Sequence, residues 1–414
     1  MRVAVTGLGC VTPIGNSVAA FRDAMYTGRS GIASFAEAFP HTLPADPGLR
    51  FKMTAVVREF EAAGYLSPSV LTVTDRSAQF GILAAQQAIV ESRLLERHDP
   101  AAVAVVTGCS CGGRTADEDA NRELYTRNAR VPPTVILRTM ASSGASHIST
   151  QYGITGPVLN VATACASGTH AIGLAFQMVR SGMASAAVAG GHEAPLTFGF
   201  LRAWDSMRVV SPSSCRPFSA DRDGMTLGEG AAMLVLEPLE DAVARGAHVY
   251  AEIVGFGMSS DAHHVTQPQA AGAALAMTRA LEDARQVGVE DAAGRVGYIN
   301  AHGTGTQAND AIEAEAIRLA LGDAAAGAPV SSTKSLTGHC IGAAGAVEAL
   351  ATVLALDEGR LPHTAGVTNV DPALGVDVIV NEPREMERGR DLGLSNSLAF
   401  GGLNAVLAFR RLVR

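Results

Sequence analysis

The chain has 414 residues, 47% of them hydrophobic and 17% charged, with a formal net charge of −8 at pH 7. This length predicts two or three structural units with a large buried core, and the acidic balance argues against a nucleic-acid or anionic-membrane surface. No apolar run is long enough to span a bilayer, and MRVAVTGLGCVTPIG at the start predicts a strand and a turn, not a signal peptide. A cytoplasmic protein is therefore expected.

Short apolar runs alternate with helical stretches along the chain, a pattern that predicts stacked α/β layers. The predicted strands are Val3–Thr6, Ala102–Thr107, Ala186–Ala189, Ala231–Glu237, Val296–Asn300, Val378–Val380 and Ala405–Phe409. One helix is predicted from Asp75, whose side chain can cap the first turn, to Leu95, and another from Gly342 to Leu356.

A coarse internal symmetry relates the two halves of the chain. VLNVATACASGTHAIG in the first half and APVSSTKSLTGHCIGAAG in the second are each typical of a strand, a small-residue turn with a reactive residue, and an Ala/Gly-rich helix. A boundary is predicted near Ala251–Gly257, where a new strand begins. Because no Pro/Gly/Ser-rich linker separates residues 1–250 from residues 251–414, we expect the two halves to share one core.

The six cysteines are spread over the whole chain and favour neither a disulfide framework nor a zinc site. They are Cys10, Cys109, Cys111, Cys165, Cys215 and Cys340. The chain has no C-x-x-C pair, and Cys109-Ser110-Cys111 is too tightly spaced to hold one tetrahedral zinc without a second pair. We therefore expect no disulfide framework and no bound metal.

Cys165 lies at a predicted strand-to-helix junction. VLNVATA is typical of a buried strand, and SGTHAIGLAFQMVRSG is typical of a helix that ends at Gly182. A thiol at a helix start lies beside free N–H groups and the positive end of the helix dipole, which lower its pKa and can hold an oxyanion next to the sulfur. The residues alone leave two interpretations open: a nucleophile, or a small buried hydrophobic side chain.

His302 follows a predicted strand in the turn GYINAHGTGTQAND. Glycine-rich turns just past strand ends are common places for functional side chains in α/β proteins. Thr304 and Thr306 are either turn formers or ligands for a polar substrate arm, and Asn309 or Asp310 can cap the helix that follows. The alternative is a histidine that only stabilises the turn by hydrogen bonds.

Lys334 and His339 lie in a polar turn that leads into an apolar helix, SSTKSLTGHCIGAAGAVEALA. A lysine so close to a buried segment needs a carboxylate partner, which either Glu348 or Asp310 could provide. Taken one at a time, an exposed lysine and a histidine in the helix cap are reasonable alternatives. The two residues together with Cys165 favour a site.

One thiol and two histidines from separate strand-end turns can converge in one pocket. Two neutral imidazoles offer two N–H donors to one carbonyl oxygen, which suits an enolate formed beside a thioester. A cysteine protease would instead pair the thiol with one histidine and an orienting Asn or Asp.

Two glycine-containing stretches are further candidates for ligand binding. Phe400 is followed by Gly401 and Gly402, so the backbone there either approaches a ligand closely or forms a tight turn between strands. VTGLGCVTPIG lacks the third glycine of a dinucleotide-binding motif because Thr12 occupies that position. We therefore expect no nicotinamide cofactor.

The chain resembles the beta-ketoacyl-acyl carrier protein synthases, specifically the elongating type with one cysteine and two histidines. The similarity covers nearly the full length, through VAVTGLGCVTPIG, NVATACASG, RPFSADRDGMTLGEGAAMLVLE, AEIVGFGMSSDAHH, NAHGTGTQAND, SSTKSLTGHCIGAAGAVEA and FGGLNAVL. It implies a thiolase-like α/β fold, with two similar halves in a five-layer α-β-α-β-α sandwich. It also implies a two-fold dimer with the active sites near the interface, and no cofactor.

The resemblance implies a role for each matching residue. Cys165 would take the acyl chain from acyl carrier protein, and His302 and His339 would assist decarboxylation of malonyl-acyl carrier protein and stabilise the enolate. Lys334 would support the histidines. The other implied roles are Glu348 as the charged partner of Lys334, Thr304 and Thr306 as hydroxyls that hold the pantetheine arm, the backbone N–H groups of Cys165 and Phe400 as the oxyanion hole, and Phe400 as the gating aromatic.

Three positions depart from the usual pattern of fatty acid synthases. Ala399 stands where glycine usually precedes the phenylalanine, and Leu403 stands where threonine is usual, so the gate is expected to be stiffer or differently shaped. Cys111 stands where related enzymes place a residue that limits acyl-chain depth. Cys111 and Phe400 are therefore the predicted acyl-pocket residues.

The segment GGHEAPLTFGFLRAWDSMRVVSP resembles ketosynthases of specialised pathways, including nodulation-factor and aromatic or polyene type II polyketide systems. This favours a specialised system over primary fatty acid elongation. A thiolase is disfavoured because thiolases use a second cysteine near the C-terminus, where this chain has Asn396 and Phe400. The role of a chain-length-determining subunit is disfavoured for this chain because Cys165 is present. Such a subunit is nevertheless a candidate partner in a heterodimer, and the alternative is a homodimer.

Overall fold

A ten-stranded mixed sheet extends through the molecule in the computed structural model, which describes residues 1–38 and 48–412. The strands are β1 (Val3–Val11), β2 (Ile32–Ser34), β3 (Met53–Ala55), β4 (Val103–Gly108), β5 (Val158–Val161), β6 (Ala186–Glu193), β7 (Gly230–Pro238), β8 (Ala251–Ser260), β9 (Val296–Asn300), β10 (Val330–Ser331), β11 (Arg360–Leu361), β12 (Arg384–Glu385), β13 (Leu392–Ala399) and β14 (Leu403–Arg410). The order in the large sheet is β10-β9-β13-β14-β8-β1-β7-β6-β4-β5, while β2 pairs with β3 and β11 pairs with β12.

Helices connect most of these strands. They are α1 (Val18–Thr27), α2 (Phe35–Ala38), α3 (Pro68–Val73), α4 (Arg76–Ser92), α5 (Arg114–Arg127), α6 (Thr134–Thr139), α7 (Ser143–Tyr152), α8 (Ser167–Arg180), α9 (Phe198–Met207), α10 (Leu239–Ala244), α11 (Ala270–Gln286), α12 (Gln307–Leu321), α13 (Lys334–Thr337) and α14 (Ala344–Glu358). Among the described residues, none of these helices combines the length and apolar character needed to cross a membrane.

The large sheet consists of two five-stranded segments with the same topology. Strands β1, β4, β5, β6 and β7 follow the order β5-β4-β6-β7-β1, and their counterparts β8, β9, β10, β13 and β14 follow the order β10-β9-β13-β14-β8. In each of these two orders, the first three strands are parallel to one another, and the third and fourth strands and the fourth and fifth strands pair antiparallel. The segments join where β1 pairs with β8 over the short stretch Val3–Val5. The symmetry suggested by the sequence is present in the strand order.

Helices form three layers around these two segments. α4 and α7 cover the outer face of the first segment, α11 and α12 cover the outer face of the second, and α8 and α14 lie between the segments in contact with each other. β1 and β7 are buried along their whole length, because helices cover both faces of the sheet. The result is the predicted arrangement of two similar halves in five α-β-α-β-α layers.

Small residues bring α8 and α14 close together at the centre. A Cβ on Gly345 of α14 would lie 2.0 Å from Thr169 Oγ1 and 3.0 Å from the Thr169 backbone nitrogen, and a Cβ on Gly168 of α8 would lie 2.8 Å from the Ala346 nitrogen. Cys165 lies just before α8, and His339 precedes α14, separated from it by the 3-10 helix Ile341–Ala343. The close helix contact therefore fixes the distance between two predicted site residues.

Two local predictions are wrong. Val378–Val380 is not a strand, because only Val378 forms a bridge, to Val330, and the chain then leaves the sheet. α12 is capped by the Thr306 hydroxyl, which accepts from the Asn309 N–H at 3.3 Å, and not by Asn309 or Asp310. By contrast, Asp75 caps α4 as predicted, through the Ser77 N–H at 3.1 Å.

Replacing Gly345 with valine is expected to lower the free energy of unfolding by about 1–3 kcal/mol, because the new side chain overfills the contact between α8 and α14. Urea denaturation followed by circular dichroism measures this change. Gly64→Ala is the matched control, since a Cβ at Gly64 meets nothing within 4 Å. Equal stability of Gly345→Val and the control would contradict the close contact.

Candidate active site

A sharp turn between β5 and α8 presents the side chain of Cys165. Ala164, the preceding residue, has a φ of 48°, in the left-handed region that non-glycine residues rarely adopt. The Ser167 hydroxyl stabilises the turn, since it accepts from the Thr163 N–H at 2.9 Å and donates to the Ala164 carbonyl at 2.7 Å. The Cys165 side chain is thereby directed into a cavity at the start of α8.

The thiol of Cys165 is protonated at neutral pH. Burial raises its pKa to about 11, although the Lys334 ammonium and the backbone N–H groups of Phe400 and of Cys165 itself act in the opposite direction. The expected lowering of this pKa by the helix start is therefore wrong, because the loss of hydration outweighs the favourable N–H groups. The two N–H groups nevertheless lie at the sulfur, where an oxyanion would form.

His302 lies in the buried loop between β9 and α12. The carboxylate of Glu313, on α12, accepts from the backbone N–H groups of His302 and Gly303, each at 2.8 Å. The Asn396 side chain also donates to Glu313, at 3.2 Å, and burial raises the pKa of Glu313 to about 7. Glu313 and Asn396 were not predicted as site residues, because nothing in their local sequence relates them to His302.

Lys334 is buried against Glu348 and His302. Its ammonium donates to a Glu348 carboxylate oxygen, to the His302 carbonyl at 2.5 Å, and to His302 Nδ1 at 3.2 Å. Of the two carboxylates considered from the sequence, Glu348 is therefore the partner of Lys334. Asp310 instead holds the loop after His302, because it accepts from the N–H groups of Thr304 at 3.1 Å and Gly305 at 3.2 Å.

Both histidines have the same tautomer. An ammonium has only donors, so Nδ1 of His302 accepts from Lys334, and Nδ1 of His339 accepts from the Ile341 N–H at 3.1 Å. The proton of each neutral ring therefore resides on Nε2. Burial, followed by the charge of Lys334, lowers the pKa of both imidazoles well below the usual value, so both are neutral N–H donors at physiological pH.

The structure brings Cys165, His302 and His339 together in one cavity. The sulfur and one nitrogen of each ring lie within 4.8 Å of one another, and the ring centroids are 5.2 Å apart with planes 83° apart. Because each Nδ1 is engaged elsewhere, the nitrogen that faces the sulfur is Nε2. Thr304 and Thr306 also line the cavity, with their hydroxyls 3.0 Å apart.

This trio does not fit a metal ion, although one thiol and two imidazoles are good ligands for zinc. A histidine that binds a metal through one nitrogen normally donates its other N–H to a carboxylate, a carbonyl or water. Here Nδ1 of His302 faces an ammonium and Nδ1 of His339 faces a backbone N–H. A metal on Nε2 would force a proton onto Nδ1, against these donors.

Phe400 lies at the cavity wall on a loop whose backbone is left-handed at the next two residues. Gly401 has a φ of 86° and Gly402 a φ of 69°, which only glycine adopts without strain. The Phe400 ring stacks on Trp204, a residue that was not predicted because α9 is remote from Phe400 in the sequence. Cys111, one of the two predicted acyl-pocket residues, does not line the cavity and packs against the neighbouring apolar cluster.

Comparison with known families agrees with this geometry. The model of the N-terminal domain of beta-ketoacyl synthases matches residues 1–242, and the model of the C-terminal domain matches residues 250–368. This chain belongs to the beta-ketoacyl synthase family. It is therefore a condensing acyltransferase, and the predicted family and thiolase-like fold are confirmed. The division into residues 1–250 and 251–414 as two domains stays a prediction.

Relatives of this beta-ketoacyl synthase include nodulation proteins and 3-oxoacyl-acyl-carrier-protein synthases. Nodulation protein E of Rhizobium leguminosarum bv. trifolii is 39% identical over 412 residues, with 99% of each chain covered. The 3-oxoacyl-acyl-carrier-protein synthase 2 of Vibrio cholerae is also 39% identical, over 422 residues, with 99% of each chain covered.

Solved structures cover the same full length. The ishigamide ketosynthase/chain length factor has a TM-score of 0.91 and 32% identity, over 100% of this chain and 99% of that chain. A type II PKS acyl-carrier protein in complex with its ketosynthase bound to the hexaketide gives a TM-score of 0.86 and 29% identity, over 99% of each chain.

Alkylation of Cys165 by iodoacetamide is expected to accelerate about tenfold per pH unit from about pH 7 to about pH 9, because the thiolate is the reactive form and the raised pKa keeps the thiol protonated over this range. Mass spectrometry of the Cys165 peptide measures the rate. Cys111, whose pKa burial raises to about 12, provides an internal comparison in the same digest. A rate that levels off below about pH 8 would show that a thiolate is already present.

Proposed function

We propose that this beta-ketoacyl synthase transfers an acyl chain from acyl carrier protein to Cys165 and extends it with malonyl-acyl carrier protein to give a 3-ketoacyl-acyl carrier protein. The observation that carries the proposal is the convergence of one thiol and two Nε2–H donors within 4.8 Å, with each Nδ1 held by another donor. These donors suit an enolate oxygen better than they suit a water molecule that must lose a proton.

The first step is acyl transfer. The Cys165 sulfur attacks the thioester carbonyl of the acyl carrier protein, and the developing oxyanion accepts from the N–H groups of Cys165 and Phe400, which lie close enough to the sulfur to lower the pKa of the thiol. The carbon–sulfur bond to the carrier then breaks, and the proton of Cys165 leaves with the thiol of the carrier. Because the thiol starts protonated, proton loss accompanies carbon–sulfur bond formation.

The second step is decarboxylation and condensation. Loss of carbon dioxide from the malonyl thioester leaves an enolate, whose oxygen accepts from Nε2–H of His302 and of His339. The enolate carbon attacks the acyl carbonyl on Cys165, and the thiolate of Cys165 is expelled as the 3-keto product forms. Lys334 and Glu348 act through His302, because Lys334 keeps the proton of that ring on Nε2.

The remaining residues of the site have supporting roles in this proposal. Thr304 and Thr306 line the cavity and carry hydroxyls that suit the amide groups of a pantetheine arm. Asp310 and Glu313 hold the backbone of the loop that contains both His302 and these threonines. No cofactor takes part in the reaction as written.

The proposed partners are acyl carrier protein and a second ketosynthase subunit, with which this chain forms a dimer. The solved ketosynthase structure that contains an acyl-carrier protein supports the carrier as the source of both substrates. The solved ketosynthase/chain length factor supports a heterodimer with a homologous subunit as one candidate, and a homodimer is the other. The cytoplasmic location stays a prediction.

We favour a specialised pathway over primary fatty acid elongation. Nodulation protein E and 3-oxoacyl-acyl-carrier-protein synthase 2 are equally similar to this chain in sequence, so only local differences distinguish the two kinds of pathway. Ala399 and Leu403 flank the gate, and Trp204 stacks on Phe400. Trp204, Ala399 and Phe400 line the cavity that holds Cys165, and Leu403 pairs with Ala399.

Thiolytic cleavage is the alternative reaction for this fold. It requires a second cysteine in the cavity to activate the attacking carbon or thiol, and among the described residues Cys165 is the one cysteine that lines the cavity. Asn396, in the C-terminal region where thiolases have their second cysteine, donates to Glu313. The geometry therefore favours condensation.

Two substitutions are expected to separate the two steps. Cys165→Ala should abolish acyl transfer to the protein while malonyl-acyl carrier protein is still decarboxylated, whereas His302→Ala should retain acyl transfer and lower decarboxylation about 10²–10³-fold, the usual cost of losing one oxyanion donor. Mass spectrometry of the protein and release of labelled carbon dioxide measure the two steps. His248→Ala, whose ring contacts Tyr250 away from the cavity, is the control. Continued acylation of Cys165→Ala would contradict the assignment.

A panel of acyl carrier proteins tests the pathway. We expect chains with double bonds or keto groups to be extended faster than saturated chains of equal length by at least about tenfold, because a shaped pocket discriminates by differential binding of the transition state. Initial rates of 3-ketoacyl formation, measured by mass spectrometry, give the comparison. Equal or faster extension of saturated chains would indicate primary fatty acid elongation.

A further inference from the structure

Trp204 and Phe400 form an aromatic pair in the wall of the cavity that holds Cys165. Their ring centroids are 5.8 Å apart and their planes differ by 22°, and both side chains line the cavity. Trp204 belongs to the first half of the chain and Phe400 to the second. The pair therefore links the two halves beside the nucleophile, and offset stacking of this kind is favourable beyond the area it buries.

The loop around Phe400 gives its ring little freedom to move without breaking this stack. Ala399 is the last residue of β13 and pairs with Leu403, and the Gly401 N–H donates to the Val265 carbonyl at 2.7 Å. The residues with unusual backbone freedom, Gly401 and Gly402, both follow Phe400. Movement of the ring is therefore opposed by its contact with Trp204.

Trp204 is itself held in place by α9. The Asp205 carboxylate accepts from the backbone N–H of Arg50 at 3.1 Å and from its guanidinium at 3.2 Å, and Arg202 donates to the Gly48 carbonyl at 2.7 Å. The indole also contacts the Phe200 ring, with centroids 5.9 Å apart. The position of Trp204 is thus set by the first half of the molecule.

Trp204 connects the cavity wall with the apolar cluster that the predicted acyl-pocket residue Cys111 contacts. Trp204 and Val209 line the cavity and also pack against the apolar cluster that contains Leu201 and Ile341. Cys111 packs against the same cluster but does not line the cavity. Trp204 therefore belongs both to the cavity wall and to the packing around the cluster that Cys111 contacts.

We propose that Trp204 determines acyl-chain specificity: by holding Phe400 at the cavity wall, it admits short chains to Cys165 and requires long chains to displace the aromatic pair. The proposal rests on acyl transfer to Cys165, the proposed function. An acyl chain that reaches the region of Cys111 must separate the two rings. Long chains therefore bear the free-energy cost of breaking the ring contact, and short chains do not.

The test is the ratio of the acylation rates of Cys165 by dodecanoyl and butanoyl acyl carrier protein. Trp204→Ala is expected to raise this ratio about 3- to 10-fold, the factor that corresponds to losing one aromatic stack, and Trp204→Phe is expected to restore most of the wild-type preference. Met207→Ala, on the exposed face of the same helix, is the matched control. A purely structural role of Trp204 would slow both chains equally and leave the ratio unchanged, which would overturn the proposal.

Tryptophan fluorescence provides a second test in the wild-type protein, because Trp204 is the one tryptophan in the chain. Acylation of Cys165 with dodecanoyl chains is expected to shift the emission, and acylation with butanoyl chains is expected to leave it nearly unchanged. The same shift with both chains, or no shift with either, would overturn the proposal even if Trp204→Ala does not fold. Failure of the wild-type protein to become acylated at all would instead overturn the proposed function, and the role of Trp204 with it.

Discussion

The buried ammonium of Lys334 is the charge around which the cavity is organised. It is buried between the Glu348 carboxylate and the His302 ring, where removal from water is costly unless partners compensate for it. Its hydrogen bonds compensate, and its charge then acts on the surrounding groups. It fixes the tautomer of His302, and it helps keep His302 and His339 neutral. The ammonium of Lys334 orients the Nε2–H donor of His302 and the Ile341 N–H orients that of His339, and neither imidazole adds a second positive charge to the cavity.

The resting groups that face the substrate are consequently all neutral. The thiol is protonated because burial raises its pKa, and both imidazoles are uncharged. Negative charge develops only when the thiol attacks a thioester carbonyl or when an enolate forms. Donors already lie where each oxyanion develops: the N–H groups of Cys165 and Phe400 for the first, and the two Nε2–H groups for the second. Stabilisation that is strongest when charge develops lowers the barrier more than it tightens substrate binding.

Much of this site is predictable from sequence because its main residues lie in continuous motifs at strand ends. Cys165, His302, His339 and Lys334 each stand in a turn with characteristic small neighbours, and the alternation of strands and helices predicts the layers. The thiol pKa is not predictable, because it depends on how deeply the second half of the molecule buries the turn. The roles of Glu313 and Trp204 are not predictable for a related reason. Only the packing of the chain brings Glu313 to His302 and Trp204 to Phe400.

Equivalent strands of the two halves carry different chemistry at their carboxyl ends. β5 leads to Cys165, while its counterpart β10 leads to the turn with Lys334 and His339; β9 leads to His302, while its counterpart β4 leads to the turn with Cys111. The nucleophile and the donors have therefore been divided between two copies of one architecture. Exchanging halves between related synthases would combine one protein's nucleophile with another protein's donors, and the short seam between β1 and β8 is where such chimeras would have to match.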